Sequence, residues 1–174
     1  MSYTHLTRMG VYKFHKSGSA KEARDALVKY LDSFHLSNAD RRAQAEDNLN
    51  AYIDWATLTK PTVVHVAPSV RIELGSGLYT SGQVHRVDID LTSGGYRAVM
   101  LGTGMLSSAD PRCAVIQHGY ASLIGRDVGL VMPTHQNMDG TSLASFSVST
   151  RRIKDTLLDL SEAARVAASV LSKS

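Results

Sequence analysis

The chain has 174 residues, 43% of them hydrophobic and 20% charged, with a formal net charge of +3. This composition excludes a disordered or fibrous chain, and the length predicts a single domain over residues 1–174 with a substantial core. No apolar run approaches the roughly 20 residues that cross a bilayer, the first residues lack a secretory-signal pattern, and Cys113 is the one cysteine. We therefore expect a cytoplasmic protein without a membrane partner.

Two amphipathic helices are predicted in the first third of the chain. Residues 1–18 show no clear periodicity and end in a loop-like composition. Ser19 and Glu22 form a capping-box pattern that begins the first helix, because a serine side chain accepts the backbone N–H three residues later. Ser37 and Asp40 begin the second helix by the same argument. Both patterns are followed by apolar residues at helical spacing.

β-Branched residues and alternating polarity predict strands from Pro61 onward. The predicted strands cover residues 62–66, 70–74, 79–91 and 96–101, with turns at 75–77 and 92–95. Short turns between successive strands are typical of an antiparallel meander, here of three or four strands. Within the third strand, alternation places Arg86, Asp88 and Asp90 on a solvent face, with Val87 and Ile89 facing inward.

The sequence of the second half of the chain predicts further helices and strands. A loop over 102–111 is followed by a helix at 114–124, a strand at 128–132, a polar loop at 133–141, a strand at 146–148 and a long helix from about residue 149. The last turns of that helix are rich in alanine and valine, and we expect them to pack on the protein's own sheet. The order of elements predicts one α/β domain.

Histidines and carboxylates are the first candidates for chemistry. The seven histidines show no H-x-x-x-H spacing and none adjoins the cysteine, so structural roles are favoured over a metal site. Asp88 and Asp90 share a strand face, and with Glu73 they would supply the oxygen ligands that Mg2+ prefers. A polar solvent face is the simpler interpretation of the same alternation and is favoured over that metal site.

Three segments in the middle of the chain resemble motifs of one enzyme superfamily. Gly82-Gln-Val-His-Arg-Val-Asp88 is similar to a glycine-containing motif in which an acidic residue precedes Arg-x-Asp. Tyr96-Arg-Ala-Val-Met-Leu-Gly-Thr-Gly104 looks like a strand in which an acidic residue, any residue and a lysine precede Thr-Gly, and Gln117-His-Gly-Tyr120 looks like a Gln/Tyr helical motif. In this order, the segments resemble the PD-(D/E)XK nuclease superfamily, in particular its RecB-type and CRISPR-associated exonuclease branch, over roughly Ala20 to Val148.

The resemblance implies a restriction-endonuclease-like core, in which an antiparallel meander is followed by a helix and a strand. The N-terminal helix pair and the long C-terminal helix would flank this core. At the catalytic positions the chain departs from the family: His85 stands at the metal-binding aspartate, Met100 at the second carboxylate and Gly102 at the lysine. In the family, the carboxylates hold a divalent ion, which acts with the lysine to activate water and offset charge on the phosphate. The resemblance therefore predicts a degenerate nuclease fold without a metal cofactor.

Two non-catalytic functions suit such a fold. The first is a nucleic-acid-binding subunit, with DNA as the expected partner, in which basic residues make salt-sensitive phosphate contacts; the candidates are Lys13, Lys16, Arg86 and Arg97. The second is a scaffolding role among the protein subunits of a larger assembly, a second copy of the chain included. The net charge does not separate them, since an ordinary solvated surface also carries a charge of +3.

An active Mg2+-dependent DNA nuclease with a migrated site is the third alternative. Its candidate catalytic residues are His85, Asp88 and Gln117, and its candidate metal ligands are Glu73, Asp88 and Asp90. The strand alternation places Asp88 and Asp90 on the face opposite His85, which weighs against this alternative.

Overall fold

The computed structural model describes residues 2–34, 37–75, 77–102 and 106–171. Within these ranges the chain forms helices and a mixed sheet, so the α/β class predicted from the sequence is confirmed. The helices are α1 (Tyr3–Ser17), α2 (Ala20–Ser33), α3 (Ala39–Thr59), α4 (Pro111–Ile124) and α5 (Thr150–Leu171), with a 3-10 turn at Val128–Leu130. The strands are β1 (Val63–Val66), β2 (Ser69–Gly75), β3 (Leu78–Gln83), β4 (Arg86–Ile89), β5 (Tyr96–Gly102), β6 (Val131–Asn137) and β7 (Leu143–Ser145).

Five strands form one mixed sheet in the order β1-β4-β5-β6-β7. β5 and β6 are parallel, and the other neighbours are antiparallel. Parallel neighbours need a long crossover connection, which α4 supplies here. β2 and β3 form a separate antiparallel hairpin that packs against α4 and α5.

Alternating residues of β5 contribute to two separate parts of the core. Ala98 and Met100 belong to the cluster that includes α4, whereas Val99 and Leu101 belong to the cluster formed with α1, α2 and α3. All four side chains are buried. The C-terminal end of β5 therefore lies between the two helical layers.

The segment 1–18 shows no clear periodicity in the sequence, but it is not a loop, because α1 occupies most of it. The buried residues of α1 include Thr7 and Gly10 beside Leu6 and Val11. A polar and a small residue among the inward positions interrupt the apolar stripe by which a helix is predicted.

The predicted beginnings of the next two helices agree with the structure to within one residue. Ser19 caps α2 as expected, since its Oγ accepts the N–H of Glu22 at 3.2 Å. α3 is capped by Asn38 rather than Ser37, and Asn38 Oδ1 accepts the N–H of Arg41 at 2.9 Å. Both side chains satisfy a backbone donor that the first helical turn leaves free.

The continuous strand predicted over residues 79–91 is two strands that belong to different sheets. β3 pairs with β2, and β4 pairs with β1 and β5. The chain changes sheets at Val84 and His85, whose N–H groups donate to the carbonyl oxygens of Pro68 and Val99 respectively. The single meander is therefore a wrong prediction, although the antiparallel pairing of β4 with β5 across the turn at 92–95 is confirmed.

Of the three residues predicted on a solvent face, Arg86 and Asp88 are buried and Asp90 is half-buried. Arg86 is 0% exposed and Asp88 is 2% exposed, because Tyr52 and Trp55 of α3 cover that face of β4. Val87 is buried on the opposite face, as predicted. β4 is thus covered on both sides, and its alternating polarity does not mark a water-exposed surface.

The C-terminal half differs from the prediction in its strands. β6 continues to Asn137 through the predicted polar loop, because β5 and β7 flank it and its Thr134, His135 and Gln136 are buried. β7 lies at 143–145 instead of 146–148.

The helices of this half are confirmed, with α4 beginning at Pro111. The last turns of α5 do not pack on the sheet, since Val166 and Val170 are each 64% exposed. The turn predicted at 75–77 and the loop predicted at 102–111 both contain residues outside the described ranges, namely Ser76 and residues 103–105.

Candidate ligand-binding cavity

A cavity of about 540 Å³ lies beside the C-terminal end of β5, and His85, Met100 and Gly102 all line it. These are the three positions at which the resemblance places two carboxylates and a lysine. We call this space the motif cavity. The first turns of α4, strand β3 and one residue each of α1, β6 and α5 complete its wall.

The charged and polar lining of the motif cavity is basic. Arg8, Arg112, His85 and His135 line it, and no aspartate or glutamate is found among its described lining residues. The residues outside the described ranges are not acidic either, as their sequence shows. The cavity therefore lacks the carboxylate oxygens with which proteins hold Mg2+.

His85 is held by the backbone of the neighbouring strand. Its Nδ1 accepts the N–H of Leu101 at 2.6 Å. Burial, with smaller contributions from the charges of Arg8 and His5, lowers the pKa of His85 to about 3. The ring is neutral at pH 7, and because Nδ1 is an acceptor, its proton lies on Nε2.

Arg8 and His135 approach the same part of the motif cavity. A Cβ atom built on Gly102 would lie 3.6 Å from Nε2 of His135 and 3.7 Å from Nη2 of Arg8. Nε of Arg8 and Nε2 of His135 are buried, and neither has a hydrogen-bond partner among the described residues. Because Gly102 has no side chain, the Arg8 guanidinium can approach the position at which the resemblance places a lysine.

Asp88 does not face the motif cavity. Nε of Arg86 donates to its Oδ1 at 2.6 Å and Nη2 of Arg86 donates to its Oδ2 at 2.7 Å, while the Arg86 guanidinium also donates to the Tyr52 hydroxyl. In the register of β4 and β5, Arg86 lies opposite Val99 and Asp88 opposite Arg97. Because Val99 faces α1, α2 and α3, the pair also lies on the α3 side of β4. Both carboxylate oxygens are therefore already used in an internal ion pair.

The other two candidate metal ligands lie elsewhere. Glu73 is exposed on the β2–β3 hairpin, opposite Tyr79. Asp90 begins the β4–β5 turn, and its Oδ1 accepts the N–H groups of Thr92 at 2.9 Å and Ser93 at 3.4 Å, which lowers the pKa of Asp90. The structure does not bring Glu73, Asp88 and Asp90 together, and no cluster of three or more His, Cys, Asp or Glu residues suited to a metal occurs in the described part of the chain.

Gln117 and Tyr120 anchor α4 rather than line the motif cavity. Nε2 of Gln117 donates to the carbonyl oxygen of Val128 at 3.0 Å. The Tyr120 hydroxyl is hydrogen-bonded to Nδ1 of His65 at 2.7 Å. Both side chains are buried. Their contacts attach the helix to the segment before β6 and to β1.

The four candidate phosphate contacts do not form one surface. Arg86 is enclosed, Lys13 pairs with Glu22 at 2.7 Å, and Lys16 is exposed near the end of α1. Arg97 lies five residues before Gly102, which is about 16 Å along an extended strand. A basic surface would instead centre on Arg8, an early basic residue of the chain, with Arg112 beside it, although Arg112 pairs with Asp110 at 2.6 Å. Sequence reasoning did not single out Arg112, because nothing in its local pattern links it to residues near 85 or 102.

Comparisons with known proteins add no relative. No protein-family model matches the chain, and no curated protein matches its sequence. Among the described helices, none is both long and apolar enough to cross a membrane. The resemblance to nucleases therefore rests on the motif residues, and the function has to be argued from the geometry of the cavity.

Proposed function

We propose that the chain is a catalytically degenerate domain of the PD-(D/E)XK nuclease type that binds nucleic acid as a non-catalytic subunit. The observation that carries this proposal is the motif cavity itself. His85, Met100 and Gly102 line one cavity, whose charged side chains are basic. A phosphate-bearing ligand suits such a lining, whereas a divalent ion does not.

The order of elements supports the fold assignment. β4 and β5 are antiparallel neighbours, α4 then crosses over, and β6 returns parallel to β5. The resemblance implies an antiparallel meander followed by a helix and a strand, and β4, β5, α4 and β6 supply an antiparallel pair, a helix and a strand in that order. The β2–β3 hairpin, expected as part of that meander, lies outside the main sheet and does not support the assignment.

The cavity lacks the groups that would make a nuclease active. Hydrolysis of a phosphodiester by this type of mechanism needs an ion that activates water and charges that offset the developing negative charge. Met100 offers a thioether and Gly102 no side chain. Since the carboxylates of the migrated-site alternative are separated, no observation favours that alternative.

Two measurements on the full chain test this function together. We expect no cleavage of single- or double-stranded DNA in millimolar Mg2+ or Mn2+, and binding of DNA by fluorescence anisotropy that weakens steeply as salt is raised. The Arg8→Gln variant should bind more weakly, whereas Arg41→Gln, on the exposed start of α3, should not. Metal-dependent cleavage, or binding that salt does not affect, would contradict the proposal.

A scaffolding role is a second candidate, favoured by the exposed apolar side of α5. Leu158 is 57% exposed, and Val166 and Val170 are 64% exposed. Residues 162–170 contribute little to the core, so deleting residues 162–174 should leave the domain folded. If α5 mediates assembly, the deletion will change the oligomeric state in analytical ultracentrifugation; an unchanged state would remove this candidate.

A further inference from the structure

Two nitrogen atoms in the motif cavity lack a partner within the described structure. They are Nε of Arg8 and Nε2 of His135, and His135 is only 6% exposed. Buried polar atoms in native proteins are nearly always hydrogen-bonded, since an unpaired one loses its contact with water without compensation. Both side chains reach within 4 Å of the same point above Gly102. An oxygen atom bound near that point would lie within reach of Nε2 of His135 and Nη2 of Arg8.

The positive charge of Arg8 also lacks a counter-ion among the residues that the structure describes. Arg8 forms no ion pair with a described residue, and every aspartate and glutamate of the chain lies in the described ranges. Burial lowers the pKa of Arg8, although a guanidinium remains protonated at neutral pH. A half-buried cation without a counter-ion favours an anion as the ligand and disfavours a metal ion.

His85 supplies a donor from the other side of β5. Since its Nδ1 accepts the Leu101 N–H, the proton of the neutral ring is on Nε2. β4 and β6 flank β5, so His85 and His135 approach the cavity from opposite sides of that strand. Arg8 approaches from α1. The polar side chains thus approach one space from three separate elements.

This arrangement suits the end of a phosphate ester. A phosphomonoester carries three acceptor oxygens and about two negative charges, whereas a carboxylate has two oxygens in one plane. The cavity is larger than a phosphate group, because its volume of about 540 Å³ falls within the range typical of small-molecule sites. Leu106, Val115 and Ile116 line the remainder and offer apolar contacts to a sugar or base.

We propose that the motif cavity binds a terminal phosphomonoester, carried by the end of a nucleic-acid strand or by a mononucleotide, through Arg8, His85 and His135. The proposal rests on the nucleic-acid-binding function and names the part of the ligand that the domain recognises. It predicts that strand ends are bound in preference to internal phosphodiesters, which lack the third free oxygen and the second charge.

Fluorescence anisotropy with matched oligonucleotides tests the proposal. Internally labelled single strands carry a 5′-phosphate, a 3′-phosphate or hydroxyl groups at both ends, and AMP and inorganic phosphate serve as competitors. We expect one phosphorylated strand to bind about tenfold or more tightly than the hydroxyl strand, because charge-assisted hydrogen bonds are added. AMP should compete for that strand, and inorganic phosphate should compete more weakly because it makes no apolar contacts.

Variants separate a binding role from a structural one. Arg8→Gln and His135→Gln should abolish the preference for the phosphorylated strand, and Arg41→Gln should keep it. Gly102→Val provides an independent variant: its side chain would occupy the space between Arg8 and His135 without removing a donor, so the preference should also be lost. The melting temperature of each variant first shows whether it is folded. If Arg8→Gln or His135→Gln does not fold, Gly102→Val tests the proposal in its place.

The outcomes distinguish this proposal from the function on which it rests. Equal, salt-sensitive binding of all strands would support nucleic-acid binding and overturn the terminal-phosphate site. Binding of AMP without binding of any strand would support the phosphomonoester site and overturn the nucleic-acid function. Failure of every ligand to bind would overturn both.

Discussion

Arg86 and Asp88 form a two-point ion pair inside the protein, with Nε to Oδ1 at 2.6 Å and Nη2 to Oδ2 at 2.7 Å. Neither residue is more than 2% exposed. The guanidinium also donates to the Tyr52 hydroxyl and lies 4.9 Å from the centre of the Trp55 ring. The pair therefore connects β4 to α3, and an Arg-x-Asp sequence that suggests a reactive site acts as part of the scaffold here.

The ion pair predicts that Asp88→Ala is strongly destabilising. Removal of one partner leaves the Arg86 charge buried without compensation, which typically costs about 3–5 kcal/mol. The free energy of unfolding measured with urea should fall by that amount. Replacing both residues, as in Arg86→Met with Asp88→Leu, should cost clearly less than Asp88→Ala alone, because no unpaired charge remains. A smaller loss for Asp88→Ala than for the double variant would contradict this interpretation.

If the resemblance to nucleases holds, the positions of the motif residues predict that a metal site can be built. The variant His85→Asp/Met100→Asp/Gly102→Lys introduces the charged groups that the resemblance implies at three positions that line one cavity. Millimolar Mn2+ should raise its melting temperature, because a ligand present at about 100 times its Kd stabilises the folded state by about 2.7 kcal/mol. The original chain should show no such rise.

An uncharged counterpart controls for non-specific effects of the metal. His85→Asn/Met100→Asn/Gly102→Lys has nearly the same shape but lacks the two carboxylates, so Mn2+ should not stabilise it. If Mn2+ shifts both triple variants equally, or shifts neither, the motif positions do not form a metal-binding geometry. The proposed nuclease-type origin of the cavity would then lose its support.

Three buried or half-buried histidines predict that stability falls as the pH falls below about 6.5, the ordinary histidine pKa. Burial, with the nearby Arg86 charge, lowers the pKa of His15 to about 4, burial and Arg8 lower that of His85 to about 3, and burial and Arg112 lower that of His135. Between these folded-state values and the unfolded value, the unfolded chain binds protons that the folded chain does not. His15 and His85 therefore each cost about 1.4 kcal/mol of stability per unit decrease in pH, and His135 acts in the same direction.

Urea unfolding at a series of pH values between about 6.5 and 4.5 measures this slope. The carboxylates whose pKa is lowered, such as Asp90 and Asp139, titrate below this window in the folded state and should contribute little to it. His85→Asn retains an acceptor for the Leu101 N–H but cannot be protonated, so its slope should be shallower than that of the original chain. An equal slope in both proteins would show that His85 does not titrate as its surroundings imply.

Close packing of α4 on β2 predicts that Gly119→Ala is destabilising. A Cβ at this position would lie 2.9 Å from Cβ of Val70 and 3.3 Å from Cγ1 of Ile72. Helix propensity alone favours alanine by about 1 kcal/mol, but overpacking of a core contact typically costs about 1–3 kcal/mol. The melting temperature should therefore fall.

Ser122→Ala is the matched control for that substitution, because Ser122 is exposed on the same helix. Its melting temperature should stay the same or rise slightly, as expected from helix propensity. A stabilising effect of Gly119→Ala would show that β2 can move away from α4 at little cost.

Features that depend on neighbouring residues could be predicted from the sequence. The Ser19 cap, the turn between β4 and β5, and the long helix α5 all follow from hydrogen bonds or periodicity within a few residues. α1 could not be predicted in this way, because the surface against which it packs is formed by α2 and α3 and accepts Thr7 and Gly10 as buried residues.

The burial of β4 was decided by the tertiary structure. The polarity alternates over Arg86, Val87 and Asp88, which is typical of a strand with one face in water. The sequence does not show that α3 covers that face. The same residues become an internal ion pair once Tyr52 and Trp55 lie over them. A strand's alternation indicates which residues share a face, but what lies against that face depends on distant segments.

The motif cavity shows the same division. The sequence by itself determined which residues stand at positions 85, 100 and 102, where the proposed resemblance to nucleases would require charged groups. Only the tertiary structure decided that Arg8 and His135 approach Gly102, because residues so far apart in the chain meet through the packing of α1 and the parallel pairing of β6 with β5. Local patterns carry no information about such distant contacts, and the basic character of the cavity arises from them.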